Sequence, residues 1–185
     1  LSNVFAYWYS DKVILSIYKA KLVNQNDSPE LIKIVSELTA NAGLPIPAVY
    51  LIEEDSPNAF ATGRNPSNAA IAVTRGLIEK LTQNELRGVV AHELAHVLNR
   101  DILIATVSAM FAAAISSLAS FALIFGGRGV DRPFNPVLLI LLAFVTPIAA
   151  TIIQMAISRA REYEADRIGA SLTQDPGSLA SALEK

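Results

Sequence analysis

The order of apolar and polar residues divides the chain into a mixed region followed by two long apolar segments. From Lys12 to Arg100, short apolar runs alternate with polar turns, which is typical of a small α+β region. Residues 102–125 and 136–157 contain no charged residue, and each exceeds the roughly 20 residues that a transmembrane helix needs. The polar segment 126–135 joins them. The pattern predicts two antiparallel membrane spans, with two buried helices of a soluble protein as the alternative.

The mixed region predicts two helices and three strands. A helix begins at Ser28-Pro29-Glu30 and ends at Gly43, and a second begins at Thr82, which forms a capping box with Glu85. Strands are predicted at residues 48–52, 58–62 and 69–73, with a turn at 63–67. The aromatic-rich residues 1–9 suggest the end of another span at the lipid surface, or else an ordinary buried helix end.

Composition and charge support the membrane prediction and limit the partners. Hydrophobic residues make up 52% of the chain and charged residues 17%, a balance too apolar for an ordinary soluble domain. The net charge is −2, so we expect no nucleic-acid partner. Basic residues flank the apolar segments on the side of the mixed region, which favours the cytoplasm for that side. They are Lys12, Lys19, Lys21, Arg100, Arg159, Arg161 and Arg167.

The second predicted helix contains a His-Glu-x-x-His motif, His92-Glu93-Leu94-Ala95-His96. Residues four apart share a helix face, so both imidazoles can bind one metal ion with Glu93 beside it. Zinc peptidases have this ligand spacing, and their glutamate acts on water. The alternative is a buried helix whose histidines contact each other without a metal.

The composition also limits the third ligand. The chain has two histidines and no cysteine, so a zinc site with three protein ligands needs an aspartate or a glutamate. Glu162 and Asp166 are four residues apart on a predicted helix and share a face. One of them can bind zinc while the other accepts a hydrogen bond from a ligand histidine. A solvated, charged helix turn is the alternative.

Three segments together resemble the HtpX-type membrane zinc metalloproteases, which are relatives of the CAAX prenyl endopeptidases. They are Asn58-Ala59-Phe60-Ala61-Thr62-Gly63, the histidine motif with Asn99-Arg100-Asp101 after it, and Ser158-Arg159-x-Arg161-Glu162-Tyr163-x-Ala165-Asp166. The resemblance implies a single Zn²⁺ per chain. It implies His92, His96 and Glu162 as zinc ligands, Glu93 as the catalytic base and Asp166 as the support of a ligand histidine.

We therefore expect an α+β zincin-like catalytic domain of the gluzincin type, with a small mixed sheet, plus transmembrane α-helices, mostly helical overall. Residues 1–9 are expected to end a preceding transmembrane helix, and residues 10–101 to form the catalytic region. Residues 102–157 would form a transmembrane hairpin. Residues 158–185 would form the third-ligand helix and begin a C-terminal catalytic region. The resemblance implies that the chain continues on both sides.

The expected activity is hydrolysis of peptide bonds by an integral-membrane zinc endopeptidase in the cytoplasmic (inner) membrane. The resemblance implies polypeptide substrates, among them misfolded or damaged membrane proteins, and a role in stress response and quality control. The lipid bilayer is an expected partner, and the oligomeric state is left open. Two alternatives are a non-catalytic zinc-binding membrane protein and a zinc hydrolase of a non-peptide amide.

Two further sets of residues complete the expected site. Asn58, Ala59, Phe60 and Ala61 are predicted to hold an extended substrate along an edge strand, with a plain edge strand as the alternative. An oxyanion also needs a donor. With no third histidine, the candidates are Tyr163, Arg159, Arg161 or a residue beyond Lys185, and the sequence does not select among them.

Overall fold

The computed structural model of the chain describes residues 12–125 and 136–185. The predictions for residues 1–9 and for the connector 126–135 lie outside the described residues. The chain forms two compact units, which we treat separately. The first contains the chain up to Leu103 together with Arg161–Lys185, and the second is Ile104–Ala160.

A four-stranded mixed sheet forms the centre of the first unit. Its strands are β1 (Lys21–Leu22), β2 (Ala48–Ile52), β3 (Ala59–Gly63) and β4 (Ala69–Thr74), in the order β1-β2-β4-β3. Strand β4 is parallel to β2 and antiparallel to β3, while β1 is antiparallel to β2. The three predicted strands are confirmed. Strand β1 was not predicted, because two residues are too short to show an alternating pattern.

The helices are α1 (Pro29–Ala42), α2 (Arg75–Lys80), α3 (Gln83–Leu98), α4 (Asp101–Phe125), α5 (Pro136–Thr173) and α6 (Pro176–Leu183). Residues 12–17 are also helical. Helix α1 ends at Gly43, whose φ of 65° is in the left-handed region that glycine adopts readily. Helix α3 begins with the predicted capping box between Thr82 and Glu85. Both predicted helices are confirmed, whereas the short helices α2 and α6 were not predicted.

One face of the sheet packs against α1 and α3 and forms the main hydrophobic core. The buried residues of this core include Leu31, Val35, Leu38, Ile71, Val73, Val90 and Leu94. The other face carries Ile52, Ala70 and Ala72, which form a second buried cluster with Leu15. Strand β4 is buried over its whole length because both of its faces are covered. Each large aliphatic side chain buried in this way contributes about 1.5–3 kcal/mol, so the core fixes α3 firmly against the sheet.

The second unit contains most of α4 and the first part of α5. It carries many exposed apolar side chains. Phe111 is 67% exposed, and Val107, Ile148, Ile152 and Ile153 are also exposed. Helix α5 is 38 residues long, with Pro147 inside it. It therefore joins the second apolar segment and the predicted third-ligand segment in one helix, where the sequence had suggested separate elements.

A membrane span requires a helix that is both long and apolar. Within residues 12–125 and 136–185, no helix meets that requirement by itself. Helix α3 and residues 101–114 of α4, which form a bent pair, meet it together.

Candidate metal centre

Helix α3 carries His92, Glu93 and His96, which are half-buried. Its apolar side is fixed by Val90, Ala91, Leu94 and Ala95, which are fully buried. The Nε2 atoms of His92 and His96 lie 3.1 Å apart, and the two rings meet edge to face. The two imidazoles thus point at one place, as their spacing predicts.

Glu162 of helix α5 brings a carboxylate to the same place. Its Oε2 lies 3.5 Å from Nε2 of His92 and 3.7 Å from Nε2 of His96. The three ligand atoms all lie within 4.8 Å of one another. Tetrahedral zinc with bonds of about 2.0–2.1 Å separates its ligand atoms by about 3.3 Å. The cluster therefore has the donor types and the dimensions of a zinc site.

A carboxylate also lies at the other ring nitrogen of each histidine. Nδ1 of His96 is 2.6 Å from Oδ2 of Asp101, and Nδ1 of His92 is 2.9 Å from Oδ1 of Asp166. The second pair is close but not aligned as a hydrogen bond. A carboxylate that accepts a hydrogen bond from Nδ1–H leaves the lone pair of a neutral imidazole on Nε2. The two Nε2 atoms lie 3.1 Å apart beside the Glu162 carboxylate, so these residues fit a metal ion.

Asp101 was not among the site residues selected from the sequence. It is the first residue of α4, is only 6% exposed, and its main-chain oxygen accepts a hydrogen bond of 2.8 Å from Nη1 of Arg161. The chain reaches this position through Arg100, whose φ of 56° is unusual for a residue other than glycine. Sequence patterns do not predict that conformation. The sequence signal for a role of Asp101 was its place just after the histidine motif, in a segment that carries the family resemblance.

Glu93 is half-buried, and its carboxylate accepts a hydrogen bond from the main chain of β3. The N–H of Ala61 donates a hydrogen bond of 2.9 Å to Oε2 of Glu93. Burial raises the pKa of the Glu93 carboxyl, and His92, His96 and the Ala61 N–H oppose this rise. The structure thus fixes one carboxylate oxygen of Glu93 at the edge of the sheet.

Strand β3 is the edge strand next to this carboxylate. The main-chain oxygen of Asn58 accepts a hydrogen bond from the N–H of Thr74 at 2.9 Å, so Asn58 faces β4. Because main-chain groups alternate along a strand, those of Ala59 and Ala61 face the open edge. The side chains of Ala59 and Ala61 pack against the main core. Phe60 lies on the other face of the sheet, where its ring centroid is 5.5 Å from that of Tyr18.

The three candidates for an oxyanion donor lie in different surroundings. Tyr163 follows Glu162 directly and is 75% exposed. Arg161 donates from Nη1 to the main chain of Asp101. Arg159 belongs to the second compact unit.

The fold and the cluster together define a helix-and-sheet domain with a possible metal site of two histidines and one glutamate. The sequence pattern of peptidase family M48 matches residues 25–185. The chain therefore belongs to peptidase family M48.

The relatives and a solved structure agree with this family. Proteins described as protease HtpX homologs from Methylibium petroleiphilum and Ralstonia pickettii are 60% and 58% identical over 99% of this chain. The chain spans 65% and 64% of their lengths. These matches confirm the resemblance to HtpX-type proteases. The crystal structure of S. mikatae Ste24p matches with a TM-score of 0.56 at 21% identity, covering 92% of this chain and 46% of that one. At that identity it supports a shared fold.

Proposed function

We propose that this chain carries the active site of a zinc metalloendopeptidase. The observation that carries the proposal is the convergence of His92, His96 and Glu162 within 4.8 Å, next to the half-buried carboxyl of Glu93. A structural metal site does not require a carboxyl group that lies next to the metal without binding it. Membership of a peptidase family supports the same activity.

His92, His96 and Glu162 would hold one zinc ion, which would lower the pKa of water and polarise the scissile carbonyl. The Asp101 carboxylate would keep the proton of His96 on Nδ1 and so direct its Nε2 towards the site. We assign the same role for His92 to Asp166, whose Oδ1 lies 2.9 Å from Nδ1 of His92. Arg161, which lies beside Glu162 on α5, donates a hydrogen bond to the main chain of Asp101 and so links α5 to the residue that orients His96.

Glu93 acts as the general base in this proposal. It takes the proton of the attacking water and later delivers it to the nitrogen of the leaving amine. The raised pKa that burial gives Glu93 suits this role, because a stronger base accepts the proton more readily. The Ala61 N–H holds Oε2, which leaves Oε1 to receive the proton.

The open edge of β3 suits a peptide substrate better than a non-peptide amide. A peptide lying along this edge meets the main-chain groups of Ala59 and the carbonyl of Ala61, which recognise its backbone without regard to its sequence; the N–H of Ala61 is already bonded to Glu93. Asn58 and Phe60 flank these two contacts. For the oxyanion we keep Tyr163, Arg159 and Arg161 as candidates; of the donors of Arg161, Nη1 is already bonded to Asp101.

We also propose that residues 102–157 insert into the cytoplasmic (inner) membrane between the two catalytic segments 10–101 and 158–185. The support is the exposed apolar surface of the second unit, including Phe111, Ile148 and Ile152, because soluble proteins rarely expose so many large apolar side chains together. The resemblance to HtpX-type proteases supports a cytoplasmic site and substrates among damaged membrane proteins. Retention in the membrane pellet after alkaline carbonate washing would test the insertion.

The decisive experiment uses a Glu93→Gln variant of the full-length protein in detergent. We expect zinc to remain at one ion per chain while hydrolysis of fluorescent casein falls by about 10²–10⁴-fold. Zinc is measured by mass spectrometry, and a chelator added to the unaltered protein is the control. Undiminished hydrolysis would show that Glu93 is not the base. Zinc binding without any hydrolysis by the unaltered protein would favour the non-catalytic alternative.

A further inference from the structure

The face of α5 that meets α3 carries small residues among its acidic ones. Glu162, Ala165, Asp166 and Gly169 follow one another at spacings of three and one, so they lie along one side of the helix. Ala165 is fully buried, and Gly169 is buried as well. The two carboxylates that reach the histidines therefore share a helix face with two residues that have little or no side chain.

Gly169 lies directly against the main chain of the first histidine. A Cβ atom placed there would be 3.2 Å from the main-chain nitrogen of His92 and 3.3 Å from its Cα. It would also be 3.4 Å from the carbonyl carbon of Ala91. These are helix main-chain atoms fixed by the buried side of α3, so they cannot move aside as a flexible side chain would.

We propose that Gly169 is a positioning residue for the metal centre, and this inference rests on the proposed zinc site. Because position 169 has no side chain, α5 lies against the main chain of His92. This close approach of α5 to α3 brings Glu162 and Asp166 within reach of the two histidines.

A small increase in the separation of α3 and α5 matters because metal–ligand distances vary only within a narrow range. A methyl group at position 169 requires α3 and α5 to separate by a few tenths of an ångström. Bond lengths at a well-formed metal site vary by only about 0.2 Å. Glu162 is already at the longest distances in the cluster, 3.5 and 3.7 Å from the two Nε2 atoms, so outward movement of α5 removes the third ligand first.

Gly88 provides a matched control on the same helix as the histidines. A Cβ atom there would lie 2.7 Å from the main-chain nitrogen of Leu179 in α6 and 2.8 Å from Oγ of Ser178. This contact is tighter than the one at Gly169, but it involves α6 and not the helix that carries Glu162. Gly177 provides a permissive control, because its nearest neighbour would be Oδ1 of Asp175 at 3.4 Å.

The test compares Gly169→Ala, Gly169→Ser, Gly88→Ala and Gly177→Ala in the full-length protein. The Zn²⁺ dissociation constant is measured by competition with a chromophoric chelator on the folded fraction. The visible spectrum of the Co²⁺-loaded protein reports the ligand geometry, and thermal unfolding without metal reports stability. For Gly169→Ala we expect the dissociation constant to rise by about tenfold or more, as when a supporting residue of a metal site is lost, with an altered Co²⁺ spectrum. Gly169→Ser should be affected at least as strongly.

The controls separate positioning from general damage. Gly88→Ala should lower the unfolding temperature while the folded fraction binds zinc normally. Gly177→Ala should leave zinc binding unchanged without lowering the unfolding temperature. Alanine has a higher helix propensity than glycine. If Gly169 has no positioning role, Gly169→Ala should therefore be at least as stable as the unaltered protein and bind zinc equally well, and that result overturns the inference alone. Failure of the unaltered protein to bind zinc would overturn both the inference and the proposed function.

Discussion

Exchange of Asp101 for asparagine is the sharpest test of how the histidine ligands are supported. Oδ2 of Asp101 lies 2.6 Å from Nδ1 of His96, and the residue is 6% exposed. Asparagine keeps the shape of the side chain, and its amide oxygen can still accept a hydrogen bond from the Nδ1–H of His96. The exchange therefore removes the negative charge while largely preserving the packing.

The magnitude follows from burial. Loss of a carboxylate partner of a ligand histidine typically costs about 10–100-fold in metal affinity, or about 1.4–2.8 kcal/mol. The Asp101 side chain is 8% exposed, whereas that of Asp166 is 53% exposed, and water screens an exposed charge strongly. We expect Asp101→Asn to approach the upper end of this range and Asp166→Asn to stay at the lower end.

Zinc competition titrations of both variants of the full-length protein measure the difference, with thermal unfolding of the metal-free protein as the control. Asp101 is also the first residue of α4, where an acidic side chain stabilises a helix by about 0.3–1 kcal/mol. A small fall in unfolding temperature is therefore expected in addition. Unchanged zinc affinity in Asp101→Asn, or a larger loss in Asp166→Asn, would refute the reasoning from burial.

The remaining predictions concern the third ligand, the substrate edge, a buried charge and a strained turn. Glu162→Ala should lose zinc, measured as metal content after dialysis, and full retention would overturn its assignment as a ligand. Ala59→Pro removes an N–H that faces the open edge, so KM for a peptide should rise with zinc content unchanged; Phe60→Pro, whose N–H faces β4, should instead lower the unfolding temperature. Equal effects of the two prolines on stability would contradict the proposed strand orientation. Hydrogen bonds from Lys185, Ser181 and Thr82 lower the pKa of Glu85 to about 2 from its usual 4.5. Its contribution to stability is therefore present above pH 4.5 and lost as the pH falls towards 2. The difference in unfolding temperature between the unaltered protein and Glu85→Gln should close over that interval, and a constant difference would argue against the effect. Gly63→Ala should strongly destabilise the fold, because Gly63 has a φ of 121° and a Cβ atom would lie 2.1 Å from the main-chain oxygen of Asn68; an unchanged unfolding temperature would show that this turn can rearrange.

Features that depend on a few neighbouring residues could be predicted from the sequence. The capping box of Thr82 and Glu85, the helix end at Gly43 and the three longer strands follow from contacts within one turn or from alternation along a strand. The meeting of His92 and His96 follows from helix periodicity alone. The family resemblance also depends on short segments whose order and residues can be compared directly.

The sequence by itself determined the two imidazole donors, the need for a carboxylate ligand and the apolar segments between them. Only the tertiary structure placed Glu162 at 3.5 Å from His92, assigned Asp101 to His96, and showed that β3 has an open edge beside Glu93. It also showed that Gly169 touches the main chain of His92. The physical reason is that local propensities act over a few residues. These four contacts instead depend on how α3, α5 and the sheet pack together, and that packing is set by side-chain volumes and by the left-handed backbone of Arg100.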